Sequence, residues 1–202
     1  MPLRSTFLML LLAGLLAVPP AAGAEGIYLG SGIGLGLPTP EIEPLSKEVE
    51  HDPGFAFEAM RLRYDHDNWG VGVQWGGASG EADSRFFNDG EWTVEYFALS
   101  ARYLFSPHEP VASYLEVGGG AYRYTMLNDL AEIESDPVPG LRLAAGAKFN
   151  IGRLFVATEI CYHAAEFSDA EIHTDYYDSD LDLDSRVDML VLMVKSGLQA
   201  KE

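Results

Sequence analysis

The feature that most narrows the folds open to this chain is a period-two alternation of apolar with small or polar residues, recurring in eight segments. They run Ile27–Leu37, Gly54–Tyr64, Trp69–Ala78, Glu91–Phe105, Val111–Met126, Gly140–Asn150, Arg153–Phe167 and Arg186–Ala200. An extended chain turns successive side chains to opposite sides, so each segment reads as a β-strand with two unlike faces. In the first, Ile27, Leu29, Ile33 and Leu35 oppose Tyr28, Gly30, Gly32, Gly34 and Gly36. In the third, Trp69, Val71, Val73 and Trp75 oppose Gly70, Gly72, Gln74 and Gly76. The fourth and sixth repeat the pattern, with Arg102, Arg142 and Lys148 as isolated charges on the glycine and alanine side. Such a face is too bare for a solvated surface and suits the lumen of a barrel too narrow for bulky chains.

The connections sort by length. Residues 65–68, 106–110 and 151–152 are short, whereas 38–53, 79–90, 127–139 and 168–185 are long. Short turns at one end and long loops at the other describe a meander closed on itself, with both termini on the short-turn side. The expected fold is therefore all-β, an eight-stranded antiparallel up-and-down transmembrane β-barrel with its long loops outside. Closure leaves no unpaired edge. Trp69, Trp92, Tyr103, Phe105, Phe149 and Tyr162 lie near strand ends, where aromatic girdles form. The competing arrangement is a soluble secreted barrel or lipocalin-like carrier, which would turn its apolar face inward.

The chain opens with Arg4, an apolar run of twelve residues from Phe7 to Val18, and Ala22-Gly23-Ala24. These are the three parts of a secretory signal. The run is short of the roughly 20 residues a spanning helix needs. Residues 1–24 are expected to be a signal peptide, and 25–202 a single barrel domain in the outer membrane of a Gram-negative cell. A net charge of −18 argues against nucleic acid, which requires Lys and Arg at its phosphates. Cys161 is the single cysteine, so no internal disulfide can form. Outer-membrane lipid is the expected partner, as a monomer, and no cofactor is expected.

The segments IYLGSGIGLG, YLEVGGGAYRY and GLRLAAGAKFN resemble small outer-membrane barrels of the OmpA, OmpX and OmpW type. The likeness is one of pattern over the whole mature part, and free-standing barrels are nearer to it than those carrying a periplasmic domain. Such proteins usually finish on an aromatic residue that the assembly machinery reads, and here Gly197–Glu202 places Glu202 there.

Two strands depart from clean alternation. In the second, Glu58 shares parity with Met60 and Leu62 while Arg61 and Arg63 lie opposite, and a bulge between Glu58 and Arg61 would reunite the charges. In the last, Met189, Val191 and Met193 oppose Leu190, Leu192 and Val194, so either side reads as the inner one.

Few residues invite chemistry. Glu159, Cys161 and His163 share a face of the seventh strand; the residue types suit a nucleophile or metal, but no fourth ligand is near and lumen lining accounts for them. Barrel enzymes that deacylate lipid A use a His and Ser close together on a late strand, and His163 with Ser168 matches poorly. Asp178, Asp180, Asp182 and Asp184 alternate so that all four carboxylates point one way in an extended loop, a candidate for weak divalent-cation binding. Leu183 stands where an EF-hand needs glycine, and Met189 where it needs glutamate. No catalytic residue and no dedicated metal site are expected.

Hairpin registers bring the charges together. A two-residue turn at Ile151-Gly152 pairs Asn150 with Arg153 and makes Arg142 and Glu159 diagonal neighbours. Pairing Phe105 with Val111 sets Ser100 opposite Glu116 and Arg102 beside it. A lumen charge network of Arg102, Glu116, Arg142, Glu159 and Lys148 is therefore expected. The functional expectation is a non-enzymatic outer-membrane protein, structural or acting through acidic external loops. A narrow pore, a lipid-modifying barrel enzyme and a soluble carrier are the alternatives.

Overall fold

The computed structural model describes residues 26–43, 49–84, 90–127, 131–174 and 178–200, and the signal segment lies outside them. Ten strands form one antiparallel sheet: β1 (Gly26–Glu43), β2 (Val49–His51), β3 (Gly54–His66), β4 (Trp69–Ser84), β5 (Gly90–Phe105), β6 (Val111–Leu127), β7 (Ala131–Ser135), β8 (Val138–Ile151), β9 (Leu154–Thr174) and β10 (Asp178–Ala200). β10 pairs with β1 from Ile27↔Ala200 to Glu43↔Asp184, so the sheet closes into a barrel. Eight strands make the wall. The short β2 pairs with β4, and β7 bridges β6 and β9 at the end carrying the long connections.

The long connections are therefore not irregular loops, as alternation alone suggested. The β9–β10 ladder continues out to Asp178↔His173, giving strands of 21 and 23 residues. A tilted spanning strand needs about 9–11 residues, so these hairpins are about twice as long as a spanning strand requires. Antiparallel neighbours keep satisfying each other's backbone groups beyond the bilayer, and acidic side chains do not interrupt the ladder.

Both expected hairpin registers need correction by two residues. Asn150 pairs with Phe155, because the turn is Gly152-Arg153 with Gly152 at φ 65°, and Phe105 pairs with Ser113. Between β3 and β4 the register shifts between Glu58 and Met60, the bulge that the charge parity called for.

The two faces separate as a membrane barrel requires. Ile27, Ile33, Leu35, Val71, Leu99, Leu141, Leu143 and Ile160 point outward and are more than half exposed. Tyr28, Trp92, Tyr114, Tyr122 and Phe167 are buried inside. In β10 the inner side is the one carrying Val187, Met189, Val191, Met193 and Lys195. No helix of the described residues is long and apolar enough to cross a membrane.

Candidate functional site

The lumen is where the sequence spends its buried charge. β3 contributes Glu58, Arg61, Arg63 and Asp65, and the extra residue at its bulge turns Glu58 and Arg61 to the same side. β5 adds Arg102, β6 Glu116, β8 Arg142 and Lys148, β9 Glu159 and β10 Lys195, each 4 % exposed or less. Glycines on neighbouring strands leave the room these long chains need. A Cβ at Gly32 would lie 2.8 Å from the Lys195 Cγ, and one at Gly72 would lie 3.2 Å from the Arg63 Cβ.

Every carboxylate in this set is shared by several cations. Glu116 accepts from Arg142, Arg63 and Arg61. Glu159 accepts from Arg142, from Lys195 Nζ at 2.6 Å, from the Tyr114 hydroxyl at 2.7 Å and from Arg61 at 3.5 Å. Glu58 meets Lys195 Nζ at 2.9 Å and Arg61 Nε at 2.7 Å. Asp65 takes Arg102 through both oxygens, with Lys148 at 3.4 Å. An isolated charge in such a place costs several kcal/mol, and sharing is what makes burial tolerable.

Among the expected residues, Arg142 and Glu159 are joined, but not as diagonal neighbours. Arg142 aligns with His163 and reaches Glu159 across the curved interior. Arg102 stands opposite Glu116 in the ladder yet turns to Asp65 instead, a correction to the expected pair. Bidentate geometry explains the preference, since Asp65 offers both oxygens to the guanidinium fork. Lys148 joins Asp65 and also lies 4.0 Å over the Tyr28 ring. Sequence reasoning left out Glu58, Arg61, Arg63, Asp65 and Lys195 as members. Lys195 shares parity with Met193 on a strand whose two sides read alike, whereas Asp65 shares parity with Arg61 and Arg63 and follows from them.

A smaller polar cluster lies further along. Cys161 Sγ is 3.1 Å from His163 Nε2, and the Tyr122 hydroxyl is 2.9 Å from His163 Nδ1. Tyr96 packs on the imidazole at 4.6 Å between ring centroids. Glu159 is engaged elsewhere, so the three residues at spacing two do not act as one set. Among the described residues no group of three or more His, Cys, Asp and Glu could hold a metal ion. The side chains of Asp178, Asp180, Asp182 and Asp184 lie outside the described residues.

At the end with the short turns, Tyr28 and Phe155 meet edge to face at 5.8 Å along the inner wall, where Phe155 covers Gly197 and Gly30. At the other, His51 Nε2 lies 3.0 Å from the Tyr124 hydroxyl beside Trp92. The interior is a packed polar core between two aromatic ends.

The profile of the outer membrane protein β-barrel domain matches residues 8–185. The chain belongs to that family. This barrel is similar in structure to OprG from Pseudomonas aeruginosa, with a TM-score of 0.57, 13 % identity, and 88 % of this chain and 97 % of that one covered. It is similar also to Neisserial surface protein A, with a TM-score of 0.56, 13 % identity, and 86 % of this chain and 97 % of that one covered. At such identities the likeness is one of fold. No curated sequence relative matches. The protein is an outer-membrane β-barrel, and its apolar wall, including a groove of about 600 Å³ lined by Ile27, Leu62, Val71, Leu99 and Val117, is membrane-facing.

Proposed function

We propose that this outer-membrane barrel is a non-enzymatic surface protein whose lumen is a closed core and whose acidic outer hairpins carry its interactions. One observation carries the reading: among the described residues the interior is occupied by shared ion pairs, and a cavity found among them measures about 10 Å³. That is room for about one water molecule, far from a solute path. Both mouths are backed by aromatic side chains, and the Cys161–His163 pair is buried with them.

The sequence of the long connections is acidic: Glu41, Glu43, Glu48, Glu50 and Asp52 fall in the first, and Asp169, Glu171, Asp175 and the four aspartates 178–184 in the last. Extended hairpins with this charge attract cationic partners over a Debye length and repel anionic ones. Residues 1–24 are removed at export, leaving a monomeric barrel among outer-membrane lipids.

Recordings in planar bilayers test the closed lumen: no conductance above the bilayer background is expected. Retention of expressing cells on polylysine-coated glass tests the surface role. It should fall when Asp178, Asp180, Asp182 and Asp184 are changed to Asn. Stable conducting steps would make the protein a pore, and altered lipid A mass spectra on expression would make it an enzyme.

A further inference from the structure

Among the described residues the buried charges do not balance. Six cations, Arg61, Arg63, Arg102, Arg142, Lys148 and Lys195, are buried there with four carboxylates, Glu58, Asp65, Glu116 and Glu159. The surplus is not spread evenly. A cavity of about 10 Å³ lies in the half of the lumen nearer the short turns, and its wall includes Arg61, Arg63, Arg102, Lys148 and Lys195. Tyr28, Tyr114, Phe155 and Ala157 complete the wall, and no carboxylate belongs to it. Arg63 supplies a second sign. It is 2 % exposed, and its Nε and Nη1 have no hydrogen-bond partner. Its remaining nitrogen is used by Glu116 and by Ser100 Oγ at 3.1 Å.

We propose that this cavity holds one small monovalent anion of halide size, chloride among those a cell supplies. Each of these four acids is already committed. Asp65 is taken by Arg102 and Lys148, Glu58 by Arg61 and Lys195, and Glu116 and Glu159 by the rest. A water molecule fits the space and accepts hydrogen bonds, but leaves the positive surplus in place. A halide accepts from several donors at once and neutralises part of it, and uncompensated buried charge is the costlier defect. The size of the cavity excludes phosphate, sulfate and organic acids. The anion is thus a structural member of the ion network, bound as the barrel closes.

The test uses the full-length protein extracted from membranes in detergent and exchanged into chloride, bromide or gluconate at equal ionic strength. The thermal midpoint should be higher by several degrees in chloride and bromide than in gluconate, which is too large to enter. Crystals grown in bromide should show an anomalous peak among Arg63, Lys148 and Tyr28. Lys148→Met and Arg63→Met should each lose the difference between halide and gluconate, whatever their absolute midpoints. A wild-type midpoint identical in the three salts overturns the proposal. So does a salt difference that survives in both variants, or a cavity occupied by water alone in bromide crystals.

Discussion

Arg142 is aligned with His163 across the β8–β9 ladder, yet its guanidinium donates to Glu159, four positions away on the same neighbouring strand. The contact therefore runs through the interior, and it is one of four made by that carboxylate, with Lys195, Arg61 and Tyr114 supplying the others. Replacing Glu159 with Gln leaves three cations short of a partner and should cost about 3–5 kcal/mol. Arg142→Met with Glu159→Leu should cost less than the sum of the single changes, because Glu116 keeps Arg61 and Arg63 and Lys195 keeps Glu58. Unfolding of the four proteins in urea gives the coupling, expected at about 1 kcal/mol or more. Additive single effects would mean that the two side chains do not act on one another.

The way this network was and was not legible follows from the period of a strand. A register slip of one residue exchanges the faces of a strand, but a slip of two restores them. Both hairpins lie two residues from the register that the sequence suggests, so Arg142, Lys148, Glu116 and Glu159 keep their inward parity while their partners change. The Ile151-Gly152 reading places glycine second in a two-residue loop, whereas Gly152 occupies the first position and Arg153 the second. The bulge in β3 was legible because only an extra residue reconciles Glu58 with Arg61. Partners meeting across a lumen are set by barrel closure, a long-range relation that no local pattern encodes, and Asp65 against Arg102 is the example.

Gly146 should be intolerant of any side chain. A Cβ there would stand 2.5 Å from the Thr158 carbonyl and 2.6 Å from the Tyr114 hydroxyl, which holds Glu159 at 2.7 Å. Gly146→Val should cost about 1–3 kcal/mol by overpacking, and Tyr114→Leu in the same chain should return part of it. The heat-modifiable mobility of the folded barrel on gels reads the effect. An unchanged unfolding midpoint for Gly146→Val would show that Tyr114 has space to yield.

The long hairpins should face outside. Short turns at 67–68, 106–110 and 152–153 lie together with both strand termini at one end, and barrels of this kind are built with that end toward the periplasm. Epitope tags after residue 176 and after His108 check this in intact cells. The first should label without permeabilisation and the second only after it. The opposite result would invert the protein in its membrane.

The aspartates at 178, 180, 182 and 184 should take up calcium weakly. The backbone there is a ladder against residues 169–173, with a register shift between Asp182 and Ser185, and does not wrap around a centre as a dedicated calcium loop must. Titration calorimetry should show heat only toward millimolar calcium, lost when the four become Asn, while chelation leaves the folded gel mobility unchanged. Micromolar affinity, or unfolding on chelation, would call for a built site.

Cys161 should be inert while the barrel is closed. It is 1 % exposed, its sulfur lies against His163, and its strand is held on both sides, by β8 through Ala144 and by β10 through Val191. A thiol reacts as the thiolate and at a rate set by access, and the route from either mouth is closed by aromatic side chains and the ion network. A maleimide added to the folded protein in detergent should leave the mass unchanged for hours, and full modification should appear only as urea unfolds the barrel. The unfolding rate then sets the labelling rate, so Glu159→Gln should label faster than wild type in the same urea. Rapid labelling of the folded wild-type protein would open the lumen to small molecules, and with it the case for a pore.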